Sequence, residues 1–109
     1  MIIERMSMLV PREKRQQLGS ALASLVGPIL VQPGCFSCQL TQSWATPDEL
    51  RLETKWANTE DLIRHLRSEI YKRVLLLMEL GAAAPVVEFY TVLEIRGLDL
   101  VQAARGPSE

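Results

Sequence analysis

Two stretches decide the fold: "CFSCQLTQ" (Cys35–Gln42) and "ELRLETKW" (Glu49–Trp56), separated by "SWATPD" (43–48). The second alternates cleanly, with Leu50, Leu52, Thr54 and Trp56 facing one way and Glu49, Arg51, Glu53 and Lys55 the other, the period of a half-buried strand. The first alternates too, Phe36, Cys38 and Leu40 against Cys35, Ser37, Gln39 and Thr41. Pro33-Gly34 turns the chain into it, and "TPDE" turns the chain between the two. They form a hairpin.

The rest of the chain frames that hairpin. Ile2 to Val10 is apolar-rich, with Met6 and Met8 in step, and stops at Pro11, which cannot donate to a ladder; it reads as a strand whose inward face is undetermined. After Pro11 come Leu18, Ala21, Leu22, Leu25, Val26 and Ile29 at helical spacing, so a helix follows, bent or ended near Gly27-Pro28. Asn58 or Thr59 caps a helix through Leu62, Ile63, His65 and Leu66; Ser68 caps Glu69 to Leu80, continuous with it or kinked, and Gly81 stops it. Pro85 introduces Val86 to Ile95, a β-branched and aromatic run that reads as a fourth strand, and Leu98 to Arg105 is a short extra element. The order β-α-β-β-α-β defines an α+β, ferredoxin-like domain: a four-stranded antiparallel sheet with helices on one face. The other face mixes polar and apolar side chains, so a second copy packed isologously against it is expected.

Composition bounds the function. The chain has 109 residues, 48% of them hydrophobic, with 12 Lys and Arg against 13 Asp and Glu. That suits one domain, residues 1–105, with a frayed tail at 106–109. The charges are interspersed, so no positive field gathers nucleic acid. No apolar run reaches membrane-helix length, and charges interrupt "MIIERMSMLV"; a soluble cytoplasmic protein is expected. Cys35 and Cys38 have C-x-x-C spacing, yet one histidine and no third cysteine leave a zinc site short of ligands. On a regular strand, residues three apart point to opposite faces, which sends Cys35 to the dimer side and Cys38 to the helix side, unable to bridge.

"PREKRQQLGSALASLVGPILVQPGCFSCQL", "ELRLETKWANTEDLIRHLRSEIYK" and "VVEFYTV" together resemble the antibiotic biosynthesis monooxygenase family, the dimeric α+β barrel domains that include quinol monooxygenases. The most specific pieces are Pro33-Gly34-Cys35 opening a strand and Trp56 closing one, followed at a fixed interval by His65 and Ser68. The resemblance implies a homodimer of two sheets packed face to face, and a pocket in each subunit between sheet and helices. It implies oxygenation of a small aromatic with dioxygen as co-substrate and no metal, flavin or haem. Such chemistry needs a dry pocket, a base and an oxyanion donor.

His65, the only histidine, is the candidate base; the competing reading is a partly buried histidine bonded to backbone. Trp56 and Tyr71 are candidate donors, or else core and helix-packing aromatics. Phe36, Cys38, Leu40, Thr54, Leu66 and Phe89 are candidate pocket walls, and Trp44 would cover the dimer seam. Two other readings share the fold. A binding or structural dimer without turnover is one. The haem-degrading branch is the other, and it relies on a strand-one asparagine, a tryptophan on the second helix and a histidine about three turns later. Here His65 takes the tryptophan's place, Leu75 the histidine's, and strand one has no asparagine.

Overall fold

The computed structural model describes residues 1–107; Ser108 and Glu109, half of the expected frayed tail, lie outside the described residues. The element order is β1 (Ile2–Leu9), α1 (Arg12–Leu30), β2 (Cys35–Gln42), β3 (Glu49–Trp56), α2 (Thr59–Leu66), α3 (Glu69–Met78), β4 (Val86–Thr91) and α4 (Leu98–Arg105). The strands form one antiparallel sheet in the order β2-β3-β1-β4, which is the ferredoxin-like α+β arrangement the element order predicts.

Amphipathic patterning explains which faces meet. Leu18, Leu22, Leu25 and Ile29 of α1 and Tyr71, Val74 and Met78 of α3 are buried, over Met6 and Met8 of β1 and Leu50, Leu52, Thr54 and Trp56 of β3. The opposite sheet face carries Arg5, Glu49, Arg51, Glu53 and Lys55, with Arg5 Nε donating to Glu53 at 2.9 Å and its guanidinium 5.1 Å above the Tyr90 ring. Asn58 caps α2 by accepting from Asp61 N, and Ser68 caps α3 by accepting from Tyr71 N, so these are two helices and not one.

Helix α1 ends near Gly27-Pro28 as expected, running through Pro28 to Leu30; with so little helix beyond it, proline disturbs only the final turn, which Val31 N closes by donating to Gly27 O. Two expectations are corrected. Strand β4 ends at Thr91, not Ile95: its register against β1 runs from Ser7↔Val86 to Ile2↔Thr91, and Val92 N donates to Met1 O just past it. The second correction concerns β2. A bulge between Cys35 and Ser37 inserts Phe36 as an extra residue, so Cys35 pairs with Trp56 and Cys38 with Thr54. Those partners are two apart on the helix-facing side of β3, and the bulge therefore puts both cysteines on that side. Cys35 packs against the core, not towards a dimer seam. Both thiols are free.

Candidate active site

Glu4 is an anomaly. It shares the inward parity of Met6 and Met8, and it is only 2% exposed. A carboxylate taken from water is tolerated only when its oxygens are bonded, and two elements supply the bonds. Tyr71 of α3 donates its hydroxyl to Oε2 at 2.6 Å, and Thr54 of β3 donates to Oε1 at 3.0 Å. Trp56 Nε1 in turn donates to Thr54 Oγ1 at 2.8 Å. Burial, then the hydrogen bond and charge of Glu4, push the Tyr71 phenol well above its ordinary value. Tyr71 therefore stays protonated and donates.

His65, also 2% exposed, completes the cluster. Its ring stacks on Trp56 with centroids 4.4 Å apart and meets Tyr71 edge-on at 5.0 Å. Nδ1 lies 2.6 Å from the Gln32 side-chain oxygen, an acceptor only, so Nδ1 carries a proton. Nε2 faces Glu4 Oε1 at 3.7 Å, beyond hydrogen-bond length but within ion-pair range. The other ring nitrogen is thus the one turned towards the buried carboxylate. That is the arrangement of a base with a group beside it to stabilise the imidazolium.

The structure brings His65, Trp56, Tyr71 and Thr54 together, and Cys38 adjoins them as the register partner of Thr54. Burial, reinforced by the charges of Cys35 and Glu4, pushes the Cys38 thiol up to about 12, so it is an inert wall. Leu66 packs at the core's edge, and Phe89, register partner of Glu4, flanks the cluster while half exposed. Phe36 and Leu40 are not brought there: Phe36 is the bulged residue, 60% exposed, and Leu40 lines a groove against α1. Trp44 stands fully exposed in the β2–β3 turn. The indole and phenol expected to donate to a substrate donate instead to Thr54 and Glu4.

Glu4 and Gln32 are the members that sequence reasoning missed. Glu4 had a signal, a lone acid in step with Met6 and Met8. Gln32, in the turn after α1 and 33 residues from His65, had none. Among the described residues no three His, Cys, Asp or Glu side chains stand close enough together to hold a metal ion, and no helix is long and apolar enough to cross a membrane.

The ferredoxin-like sheet has counterparts among known proteins. Residues 1–75 match the antibiotic biosynthesis monooxygenase family, and the chain belongs to it. The fold is similar to that of the Mycobacterium tuberculosis protein Rv0793, at 21% identity and TM-score 0.78 over 88% of this chain and 98% of that one. A conserved protein of Methanosarcina mazei Go1 is similar at 26% identity and TM-score 0.76, over 82% and 89%. A candidate antibiotic biosynthesis monooxygenase of Deinococcus radiodurans superposes with TM-score 0.81 at 16% identity, over 89% and 97%. No curated protein matches the sequence.

Proposed function

We propose that this protein is a cofactor-independent monooxygenase that oxidises an electron-rich phenol, hydroquinone or anthrone with dioxygen. The observation that carries the reading is the buried Glu4–His65 pair, with Nε2 turned to a carboxylate that two other side chains hold in place. Burying such a group costs stability, and sites that bear this cost are enriched for function. Membership in the monooxygenase family supports the reaction class.

The chemistry follows from the substrate. His65 Nε2 accepts the acidic proton, and Glu4 stabilises the imidazolium. The substrate anion passes one electron to dioxygen, giving a substrate radical and superoxide, which combine to form the carbon–oxygen bond of a peroxide. For an anthrone, loss of the remaining carbon-bound proton and cleavage of the O–O bond leave a carbonyl. One oxygen atom stays in the product, the other leaves as water, and both electron pairs come from the substrate. Leu66, packed at the edge of the core, and Phe89, paired with Glu4 in the sheet, are the apolar side chains we place beside the bound substrate.

A second reading, a module that binds without turnover, draws on the bonding of Trp56 and Tyr71 within the cluster. One experiment separates the two. Chelator-treated, colourless protein is supplied with hydroquinones and anthrones in an oxygen electrode. The oxygenase reading requires uptake above the buffer rate and loss of about 100-fold or more in His65→Ala. Binding without uptake by the wild type establishes the second reading.

A further inference from the structure

His65 is held on one side by a residue outside the helices and strands. Gln32 lies in the turn between α1 and β2, and its side-chain oxygen stands 2.6 Å from His65 Nδ1. The turn is rigid. Gln32 N donates to Ile29 O at 3.1 Å, and Gln32 O accepts from Cys35 N at 3.2 Å. Pro33 fixes the next φ. Gly34, at φ 78°, has no room for a Cβ against Asp61 of α2, and its carbonyl accepts from Ala57 N at 2.8 Å. The turn is thereby clamped to the end of β3 and to α2, the helix that carries His65. The half-buried amide and the buried ring keep their separation.

Two tautomers compete at this ring. With its proton on Nε2, His65 would donate to Glu4, but Nε2 and Oε1 stand 3.7 Å apart, too far for a hydrogen bond. With the proton on Nδ1 it donates to Gln32 at 2.6 Å. Distance favours the second form, and only that form leaves an accepting nitrogen on the side where Tyr71 and Thr54 hold Glu4. The chemistry of Gln32 matters as much as its place: a carboxamide oxygen accepts the N–H without bringing charge. Of the groups around the ring, Glu4 of β1 carries a charge, whereas Trp56 of β3 is neutral and burial keeps Tyr71 of α3 protonated. Arg64, beside His65 on α2, is exposed and pairs with Asp61. A carboxylate at position 32 would enclose the ring between two negative charges and hold both protons on it.

We infer that Gln32 is a positioning residue: it pins the Nδ1 proton of His65, reserves Nε2 as the nitrogen that takes the substrate's proton, and, being neutral, lets the ring become charged only when that proton arrives. This role rests on the oxygenase reading of His65. In the transfer the substrate's bond to hydrogen breaks, its electron pair stays on the substrate, and the Nε2–H bond forms. The imidazolium then donates from Nδ1 to Gln32 and faces Glu4 with Nε2.

Because His65 is the only histidine, a nitrogen–proton correlation spectrum of untagged, isotopically labelled protein shows a single imidazole ring. At the pH used for oxygen uptake, wild-type protein is expected to have Nδ1 protonated and Nε2 bare. Gln32→Leu should move the proton to Nε2, and the isosteric Gln32→Glu should show both nitrogens protonated. In the oxygen electrode with anthrone, both variants should lose about 10–100-fold in kcat with KM little changed. A Gln32 that only shaped the turn would tolerate the isosteric change. A wild-type ring protonated on Nε2 or on both nitrogens, an unchanged tautomer in Gln32→Leu, or full turnover in Gln32→Glu would each overturn the inference. The spectra need no turnover: wild-type protein that takes up no oxygen refutes the oxygenase reading, and the tautomers still decide what Gln32 does.

Discussion

Tyr71→Phe removes one oxygen atom and leaves the ring that packs edge-on to His65 in place. The lost bond is the 2.6 Å donation to Glu4 Oε2, which receives no other hydrogen bond among the described residues, and Oε2 belongs to a residue 2% exposed. A hydrogen bond to a charged group contributes about 1.5–3 kcal/mol, and stranding a buried charged acceptor lies at or above the top of that range. The expected loss is therefore about 2–3 kcal/mol, a fall in Tm of roughly 10–20 °C for a domain of this size. Urea unfolding followed by tryptophan fluorescence, at one fixed protomer concentration, measures it. The partner is tested by repeating the substitution in a Glu4→Gln background, where it should cost at least ~1 kcal/mol less. A loss below about 0.5 kcal/mol, or the same loss in both backgrounds, would show that Tyr71 does not hold a buried carboxylate.

Other expectations follow from the same geometry. Cys38 and Tyr71 both keep their protons when folded, while the unfolded chain releases them from about their ordinary values of 9.0 and 10.0. Folding therefore retains protons in alkali, and the stability these groups contribute is complete below pH 9 and declines as pH rises towards 12. Cys38→Ala should flatten that decline between pH 9 and 11 in urea titrations, and an unchanged slope would contradict the assignment. Gly34→Ala should destabilise by about 1–2 kcal/mol or more, because φ is 78° there and the new Cβ would fall 2.6 Å from Asp61 Cβ; a neutral effect in thermal unfolding would argue against the turn. Trp56→Phe removes the donor to Thr54 and should cost about 1 kcal/mol beyond lost packing, resolved by comparison with the Thr54→Val/Trp56→Phe double variant.

Much of the architecture was legible because it is local. The alternation of Glu49–Trp56, the caps at Asn58 and Ser68 and the periodicity of Leu18 to Ile29 each depend on neighbours a few residues away. Long-range effects were not legible. The bulge at Phe36 turned Cys35 to the helix side, and only the register against Trp56 reveals it. The end of β4 at Thr91 is read from its register against β1, not from any signal in "VVEFYTVLEI". In the site, His65, Trp56, Thr54 and Tyr71 could be proposed one at a time. Their common centre could not, because Glu4 lies 50 residues from Thr54 and 67 from Tyr71. Because the sequence leaves the inward face of strand one undetermined, it does not place the acid in step with Met6 and Met8.

The central claim is that His65, backed by Glu4, takes a proton from an electron-rich substrate before dioxygen reacts. Absorbance of an anthrone mixed with the protein under strictly anaerobic conditions tests it most directly, because the deprotonated form absorbs at longer wavelength than the neutral one. The account predicts the red-shifted band of the bound anion with wild-type protein, its absence with His65→Ala, and its decay when oxygen is admitted. A bound anthrone that stays neutral in the wild type, or an anion band that survives His65→Ala, would contradict it.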